Sequence, residues 1–368
     1  MKIGLVCPYN IFKGGGVQEC VLALQKELSR RGHQVHIITP TPRDHPAKVP
    51  ESIILLGTAA NVKSFHTTAQ VSASVNTDLV DAALEKYDFD ILHFHEPWVP
   101  ILSRQILTRS RSKNIATFHA KLPDTVMSRT IERVITPYTR SILKYLDGLT
   151  AVSDAGAEFV HSLTDKPVKI IANGIDLKYY HPDKSIEEHP KTIVYVGRLE
   201  KRKGVKYLLN AYWLLLQTRP DVRLIIAGDG VDRQKLEDTV ANWPSGQVEF
   251  LGFVSDKQKL QLIQQADVFC SPARYGESFG IVLLEAMACG TPTVAGDNPG
   301  YQSVLKDEGA SSIVNTKDSD AFAAKLDQFL YDDKLRQAWS SWALSYVKQF
   351  SYTNIVDQYE SLYKQLGS

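Results

Sequence analysis

The feature that most constrains this chain is an alternation running almost end to end. Short, predominantly apolar runs are separated by stretches with helical spacing. KIGLVCPY (2–9), QVHIIT (34–39), DILHFH (90–95), NIATFH (114–119), GLTAVS (148–153) and VKIIAN (168–173) have the length of strands with little polar alternation, so both faces of each must be covered. Residues 16–31 place Val17, Val21, Leu24 and Leu28 on one helical face, and Gly32 closes that helix. Strands alternating with helices predict a parallel sheet covered by helices on both sides.

The stretch Tyr179–Lys191 is rich in proline and charge, lacks periodicity and reads as a linker. The alternation then restarts with TIVYVG (192–197), a helix over 205–217, VRLIIAGDG (222–230), VEFLGF (248–253), DVFCSP (267–272) and TPTVAG (291–296). A length of 368 residues accommodates two such units. The expected fold class is α/β: two Rossmann-like domains, residues 1–183 and 184–350, facing across a cleft. In such sheets ligands bind beyond the carboxyl ends of the strands.

Composition narrows the partners. Lys and Arg total 42 against 41 Asp and Glu, a net charge of +1, so no global field draws nucleic acid to the chain. Cys7, Cys20, Cys270 and Cys289 stand singly in apolar segments, as buried thiols of a reducing compartment do. No uncharged apolar run approaches the ~20 residues that span a bilayer. MKIGLVCPYN, stopped by Pro8, reads as a first strand rather than a signal peptide. The expected location is cytoplasmic, or peripheral at the inner membrane face.

Several segments carry chemistry. Gly14-Gly15-Gly16, between the first strand and the first helix, lets an anion approach backbone N–H groups. It is not a G-x-G-x-x-G, and no phosphate loop of the G-x-x-x-x-G-K type occurs. In the second half Gly197-Arg198 ends a strand and Lys201-Arg202-Lys203-Gly204 precedes a helix. Arg198 and Lys203 are suited to a diphosphate, whereas Lys201 reads as solvated. Glu277 precedes a turn, and Glu285 follows eight residues later inside the apolar run IVLLEAMA, where a carboxylate needs a polar partner or sugar hydroxyls. His119 and His95-Glu96 end two neighbouring strands. His93 and His95, two apart on one strand, with His119 make a poor metal set, so no metal is expected. Asp88-Phe89-Asp90 has metal–nucleotide spacing but precedes its strand, where capping is the better reading.

Taken together, Gly15-Gly16-Val17, His119, Gly197-Arg198-Leu199, Lys203-Gly204 and Glu277-x7-Glu285 resemble the family 4 glycosyltransferases, retaining enzymes of the two-Rossmann GT-B fold. Within that family CPYNIFKGGGVQ, HFHEP, ATFHA, AVSDAGA, NGID and ESFGIVLLEAMACGTP are most similar to the phosphatidylinositol mannosyltransferases. The resemblance implies a hexosyltransferase that moves a mannose- or glucose-type hexose from a GDP- or UDP-linked nucleotide sugar, without metal or other cofactor, to a hydroxyl of a lipid, sugar or polyol. It implies catalytic roles for His119, Arg198, Lys203 and Glu277. Donor contacts would come from Gly15, Gly16, Arg198, Lys203, Glu277, Ser278, Phe279, Gly280 and Ile281, with Glu285 on the ribose and Val254, Asp256 and Lys259 near the base. Gln18 and Tyr9 would face the acceptor, and a C-terminal helix of about 351–368 would return to the first domain.

One departure bears on the acceptor. Where the lipid-modifying relatives carry a basic helix, residues 59–90 hold only Lys63 and Lys86 against Asp78, Asp81, Glu85, Asp88 and Asp90. A polybasic contribution to binding anionic lipid is therefore mostly missing, which weakens membrane-surface association. The alternatives are a nucleotide-sugar 2-epimerase of the same fold and a silent sugar-nucleotide sensor. The complete donor constellation argues for transfer over both.

Overall fold

The computed structural model describes residues 1–64, 67–120, 126–183, 185 and 191–367. The chain divides into two compact units. One comprises Met1–Gly174 with Tyr352–Ser368, the other Ile175–Ser351.

The first unit is an eight-stranded sheet of β1 (Lys2–Val6), β2 (Gln34–Thr41), β3 (Ile53–Ser64), β4 (Thr67–Ser74), β5 (Ile91–His95), β6 (Lys113–Phe118), β7 (Gly148–Ala151) and β8 (Val168–Ile170). Its order is β4-β3-β2-β1-β5-β6-β7-β8, parallel throughout except for the antiparallel β3–β4 hairpin. The order reverses between β1 and β5, so the loops after these two strands diverge and leave a crevice.

The period of two along each strand assigns the faces. Ile3 and Leu5 of β1, Ile91 of β5 and Ile115 of β6 pack on Cys20, Val21, Leu24 and Leu28 of the helix Gly16–Arg30. The same face packs on Ile355, Val356, Tyr359, Leu362 and Tyr363 of the C-terminal helix Tyr352–Gly367. Val6, Leu92, Phe94, Ala116 and Phe118 face the opposite core. Arg31 ties the two helices together, with Nη1 on Asp357 (2.6 Å) and Glu360 (2.7 Å), Nη2 on the Thr353 carbonyl (2.7 Å) and Nε on Glu27 (3.0 Å).

The second unit has six parallel strands: β9 (Thr192–Val196), β10 (Arg223–Ala227), β11 (Val248–Gly252), β12 (Val268–Ser271), β13 (Thr293–Gly296) and β14 (Ile313–Val314). The order is β11-β10-β9-β12-β13-β14, with its switch point between β9 and β12.

Two expectations need correction. The division falls at Gly174/Ile175 rather than 183/184, because Ile175 bridges to Ser351 and the Tyr180 hydroxyl bonds Glu285, which commits 175–180 to the second unit. Linker residues 184 and 186–190 lie outside the described residues. Residues 59–64 and 67–74, expected to correspond to a helical stretch, lie in the antiparallel strands β3 and β4, and the helix there is Thr77–Tyr87. Its exposed residues include Asp78, Asp81, Glu85 and Lys86. The side chain of Lys63 is outside the described part. Asp88 and Asp90 act structurally, as the capping reading expects. Asp90 accepts the Lys2 backbone N–H at 2.7 Å, Asp88 pairs with Lys2 Nζ at 3.2 Å, and Asp88 closes the preceding helix in the left-handed region.

Candidate active site

The switch point of the second sheet gathers five charged side chains. Arg198 follows β9, the turn Lys201–Lys203 is 3₁₀, and Glu277 follows β12. Successive residues of a 3₁₀ turn point about 120° apart, so three adjacent cations cannot share one environment. Lys201 is exposed while Arg202 and Lys203 are partly buried. Arg202 Nη1 and Lys203 Nζ both meet Glu277 Oε1, at 2.6 and 2.9 Å. Glu200, almost fully buried, accepts from Arg198 (2.9 Å) and Arg202 (3.0 Å).

Three cations against two carboxylates leave this cluster one positive charge in excess. Burial alone would raise the Glu277 carboxyl, but Lys203 and Arg202 hold it below the usual range. Burial pulls the Lys203 ammonium down, with Glu277 opposing. A partly dehydrated, cation-rich cluster of this kind has the chemistry to attract a polyanion. Arg202, which the spacing argument passed over, is the residue that links both carboxylates. Nothing in a run of three basic residues says that Arg202 turns inward beside Lys203.

The loop after β12 leads into the helix Ile281–Ala288, whose N-cap Gly280 has φ +110°. A Cβ there would lie 2.8 Å from Tyr301 Cδ1, so only glycine fits. Ser278 and Ile281 flank this cap, half-buried, and Phe279 is buried edge-on to Phe350. Inside the helix Glu285 is 2% exposed. Its Oε1 accepts from Lys259 Nζ (2.8 Å) and the Tyr180 hydroxyl (2.9 Å), which are the polar partners its apolar setting demands. Its Oε2 is buried with no partner among the described residues. Lys259 also lies 3.8 Å from the exposed Asp256, on the helix that starts after Val254 and the capping box of Ser255 and Gln258. Asp256, Lys259 and Glu285 are thus brought together, and Val254 precedes the helix by two residues. Tyr180, on the segment read as linker, is a further member that sequence did not single out.

In the first unit Gly15 is the N-cap of Gly16–Arg30, and Gly16 is exposed at the helix start. Gln18 folds back so that its Nε2 lies 3.5 Å from the Asn10 carbonyl, and its Oε1 would sit 2.6 Å from a Cβ on Gly15. Tyr9, in the loop after β1, accepts the Thr39 hydroxyl on its carbonyl (2.6 Å). Its phenol is raised well above its ordinary value by burial and by Glu96.

His95 pairs in register with Thr117, and His119 follows two residues later on the same face. The two rings therefore meet, with His95 Nδ1 2.9 Å from His119 Nε2. Both are neutral. Burial holds His119 at about 4 and His95 well below its ordinary value. Glu96 accepts the His119 backbone N–H at 2.8 Å and the Trp98 indole N–H, and burial pushes its carboxyl up to about 7.

His93 is not part of any metal set, because Tyr363 and Thr117 occupy its two nitrogens at 2.7 and 2.6 Å. Cys20, His95 and His119 do bring ligand-type atoms within 4.8 Å of one another. The two nitrogens at 2.9 Å are closer than the ~3.3 Å of two ligands ~2.05 Å from a tetrahedral ion, and are spaced as a hydrogen bond.

Two switch points, one cation-rich and one lined by neutral imidazoles, define an α/β protein of the Rossmann type, and comparison with known proteins gives its family. Residues 14–179 match the family described as Glycosyltransferase Family 4, and residues 178–344 match Glycosyl transferases group 1. The chain is 33% identical over 372 residues to a phosphatidyl-myo-inositol mannosyltransferase of Mycolicibacterium smegmatis, covering 100% of this chain and 94% of that protein. It is 27% identical to an N-acetyl-alpha-D-glucosaminyl L-malate synthase of Bacillus anthracis, covering 99% and 96%. The crystal structure of Anabaena HepE in complex with UDP and glucose superposes with a TM-score of 0.77 at 20% identity, covering 98% and 99%. The chain belongs to the family 4 glycosyltransferases. It is a hexosyltransferase of the GT-B fold. Among the described residues no helix is long and apolar enough to cross a membrane.

Proposed function

We propose that this enzyme transfers a hexose from a nucleoside diphosphate sugar, with retention at the anomeric carbon and without a metal ion, to a hydroxyl of a lipid or of a sugar or polyol. The observation that carries the reading is the five-charge cluster at the β9/β12 switch point, with its single excess positive charge. Cleavage of the anomeric C–O bond leaves an oxocarbenium-like centre and a diphosphate. Arg198, Arg202, Lys203 and the N–H groups opening Ile281–Ala288 stabilise the departing charge, so a cation bound by the diphosphate is not needed. Glu277, its Oε1 taken by two cations, offers Oε2 to a donor hydroxyl, while Glu285 Oε2 takes a ribose hydroxyl. His119 and Gly16 of the first unit serve the same reaction, and Gln18 and Tyr9 the acceptor. With no carboxylate assigned as nucleophile, the leaving phosphate accepts the proton of the attacking hydroxyl on the same face.

The base is best read as guanine and the sugar as mannose. Asp256 beside Lys259 presents an acceptor next to a donor, matching the N1–H/N2–H and O6 edge of guanine, and the 33%-identical relative is named a mannosyltransferase. The exposed acidic groups of Thr77–Tyr87 disfavour an anionic lipid surface. A thermal-shift and transfer screen of GDP, UDP and ADP sugars, with and without EDTA, tests the whole reading. GDP-mannose is expected to raise the melting midpoint most and to be turned over in EDTA. Asp256→Asn should erase the preference for GDP over UDP. Stabilisation by no nucleotide diphosphate would overturn the donor assignment.

A further inference from the structure

We propose that His95 is the positioning residue of His119: it donates from Nδ1 to His119 Nε2 and so fixes the His119 imidazole as the tautomer protonated on Nδ1. The inference rests on the reading that His119 serves sugar transfer, but its direct test does not.

Only one proton can lie between the two nitrogens, which are 2.9 Å apart in rings whose centroids are 5.2 Å apart and 29° from coplanar. The other nitrogen of His95 decides which ring donates. His95 Nε2 is buried and has no hydrogen-bond partner among the described residues. If His119 donated, His95 would carry its own proton on Nε2 as an orphaned buried N–H. If His95 donates, Nε2 is only an orphaned lone pair, and buried donors tolerate isolation less well than acceptors. The proton therefore sits on His95 Nδ1. His119, neutral and accepting at Nε2, must carry its proton on Nδ1.

His95 is itself held. The His93 ring lies 4.3 Å away, and His93 is pinned at Nδ1 by the Tyr363 hydroxyl and at Nε2 by Thr117, with the Tyr359 ring at 5.0 Å. The next residue, Glu96, takes φ +50°, a left-handed conformation unusual for a side chain with a Cβ, and its carboxylate accepts the His119 backbone N–H. Consecutive residues at the end of β5 thus fix one group by ring and by backbone. Two tyrosines of the C-terminal helix lock the row from behind.

The full-length protein labelled with ¹⁵N-histidine reports the tautomer directly through long-range ¹H–¹⁵N couplings. The expected result is His119 protonated on Nδ1 in the wild type. A His119 protonated on Nε2, or averaging between the two forms, would overturn the proposal whether or not a donor is turned over. For activity, His95→Asn keeps an N–H close to the Nδ1 position, whereas His95→Leu removes it at similar volume. Loss of positioning in His95→Leu should lower kcat by ~10- to 100-fold with KM little changed, and His95→Asn should keep kcat within about threefold of wild type. Equal activity of the two folded variants would sink the positioning role. Should His95→Leu not fold, the wild-type tautomer and the activity of His95→Asn still decide.

Discussion

Arg202 is where structure added most to the site, and its removal has a calculable effect. Its guanidinium contacts Glu277 at 2.6 Å, Glu200 at 3.0 Å and the Gly276 carbonyl at 3.3 Å. In Arg202→Met the cluster falls from one net positive charge to none. A unit charge ~5 Å from a phosphate in an effective dielectric of ~20 is worth about 332/(20 × 5), or about 3 kcal/mol, roughly a hundredfold in Kd. Stability should fall less. Lys203 still holds the same Glu277 oxygen at 2.9 Å, so a loss of about 1–2 kcal/mol is expected, or ~3–8 °C in melting midpoint. Calorimetric titration with GDP and UDP measures the first quantity and a thermal scan the second. Arg202→Lys, with its charge but without its fork, should fall between wild type and Met. Nucleotide affinity within threefold of wild type in a folded Arg202→Met would refute the charge argument.

Other perturbations test separate parts of the fold. Arg31→Ala removes the clamp on Tyr352–Gly367 and should cost about 2 kcal/mol, read as denaturant midpoint. Arg30 and then Arg31 hold the Glu27 carboxyl at about 2 against an ordinary 4.5, so that pairing stabilises above 4.5 and is lost as pH falls towards about 2; Arg31→Ala should flatten this acid limb. Burial raises Glu96 from 4.5 to about 7, so the wild type loses stability as pH rises across that window, and Glu96→Gln, uncharged throughout, should gain on it between those values in pH-dependent melting. Gly280→Ala meets both φ +110° and Tyr301, and should lower stability by ~2 kcal/mol or more while weakening nucleotide binding.

The two sheets were legible because parallel strands buried on both faces announce themselves as apolar runs, and β1, β5, β6, β9 and β12 lie where those runs predict. The β3–β4 hairpin was not legible. TAANVKSFHTTAQVSAS alternates small and polar residues at a sheet edge, offers no apolar period, and lacks the Asn-Gly or Asp-Gly turn that marks a hairpin. In the site, Glu285 could be found because a carboxylate amid apolar residues is conspicuous, and Glu277 because it precedes a glycine-containing turn eight residues earlier. Tyr180 could not, since its importance lies in what it touches 105 residues away in sequence, and His95, conspicuous at its strand end, gave no sign of its contact with His119, 24 residues on. Contacts of that kind are set by strand register and loop path, which no local pattern encodes.

Both sheets place their functional groups by the same topological rule, yet one switch point is positively charged and the other is lined by neutral imidazoles. The second gathers three cations around two carboxylates, while the first gathers imidazoles held neutral by burial, at about 3 for His93, about 4 for His119 and lower than usual for His95. On the proposed reaction this asymmetry follows from where charge develops. The departing diphosphate becomes more negative and rewards fixed cations. The anomeric centre becomes positive, and an imidazolium beside it would raise the barrier. At an effective dielectric of ~20 a unit charge ~4 Å away would oppose it by about 4 kcal/mol, close to a thousandfold in rate. A histidine at that position is useful only if it stays neutral through the physiological range. Burying it against a second neutral histidine, with a tyrosine-lined helix behind, keeps it so without any compensating carboxylate pair.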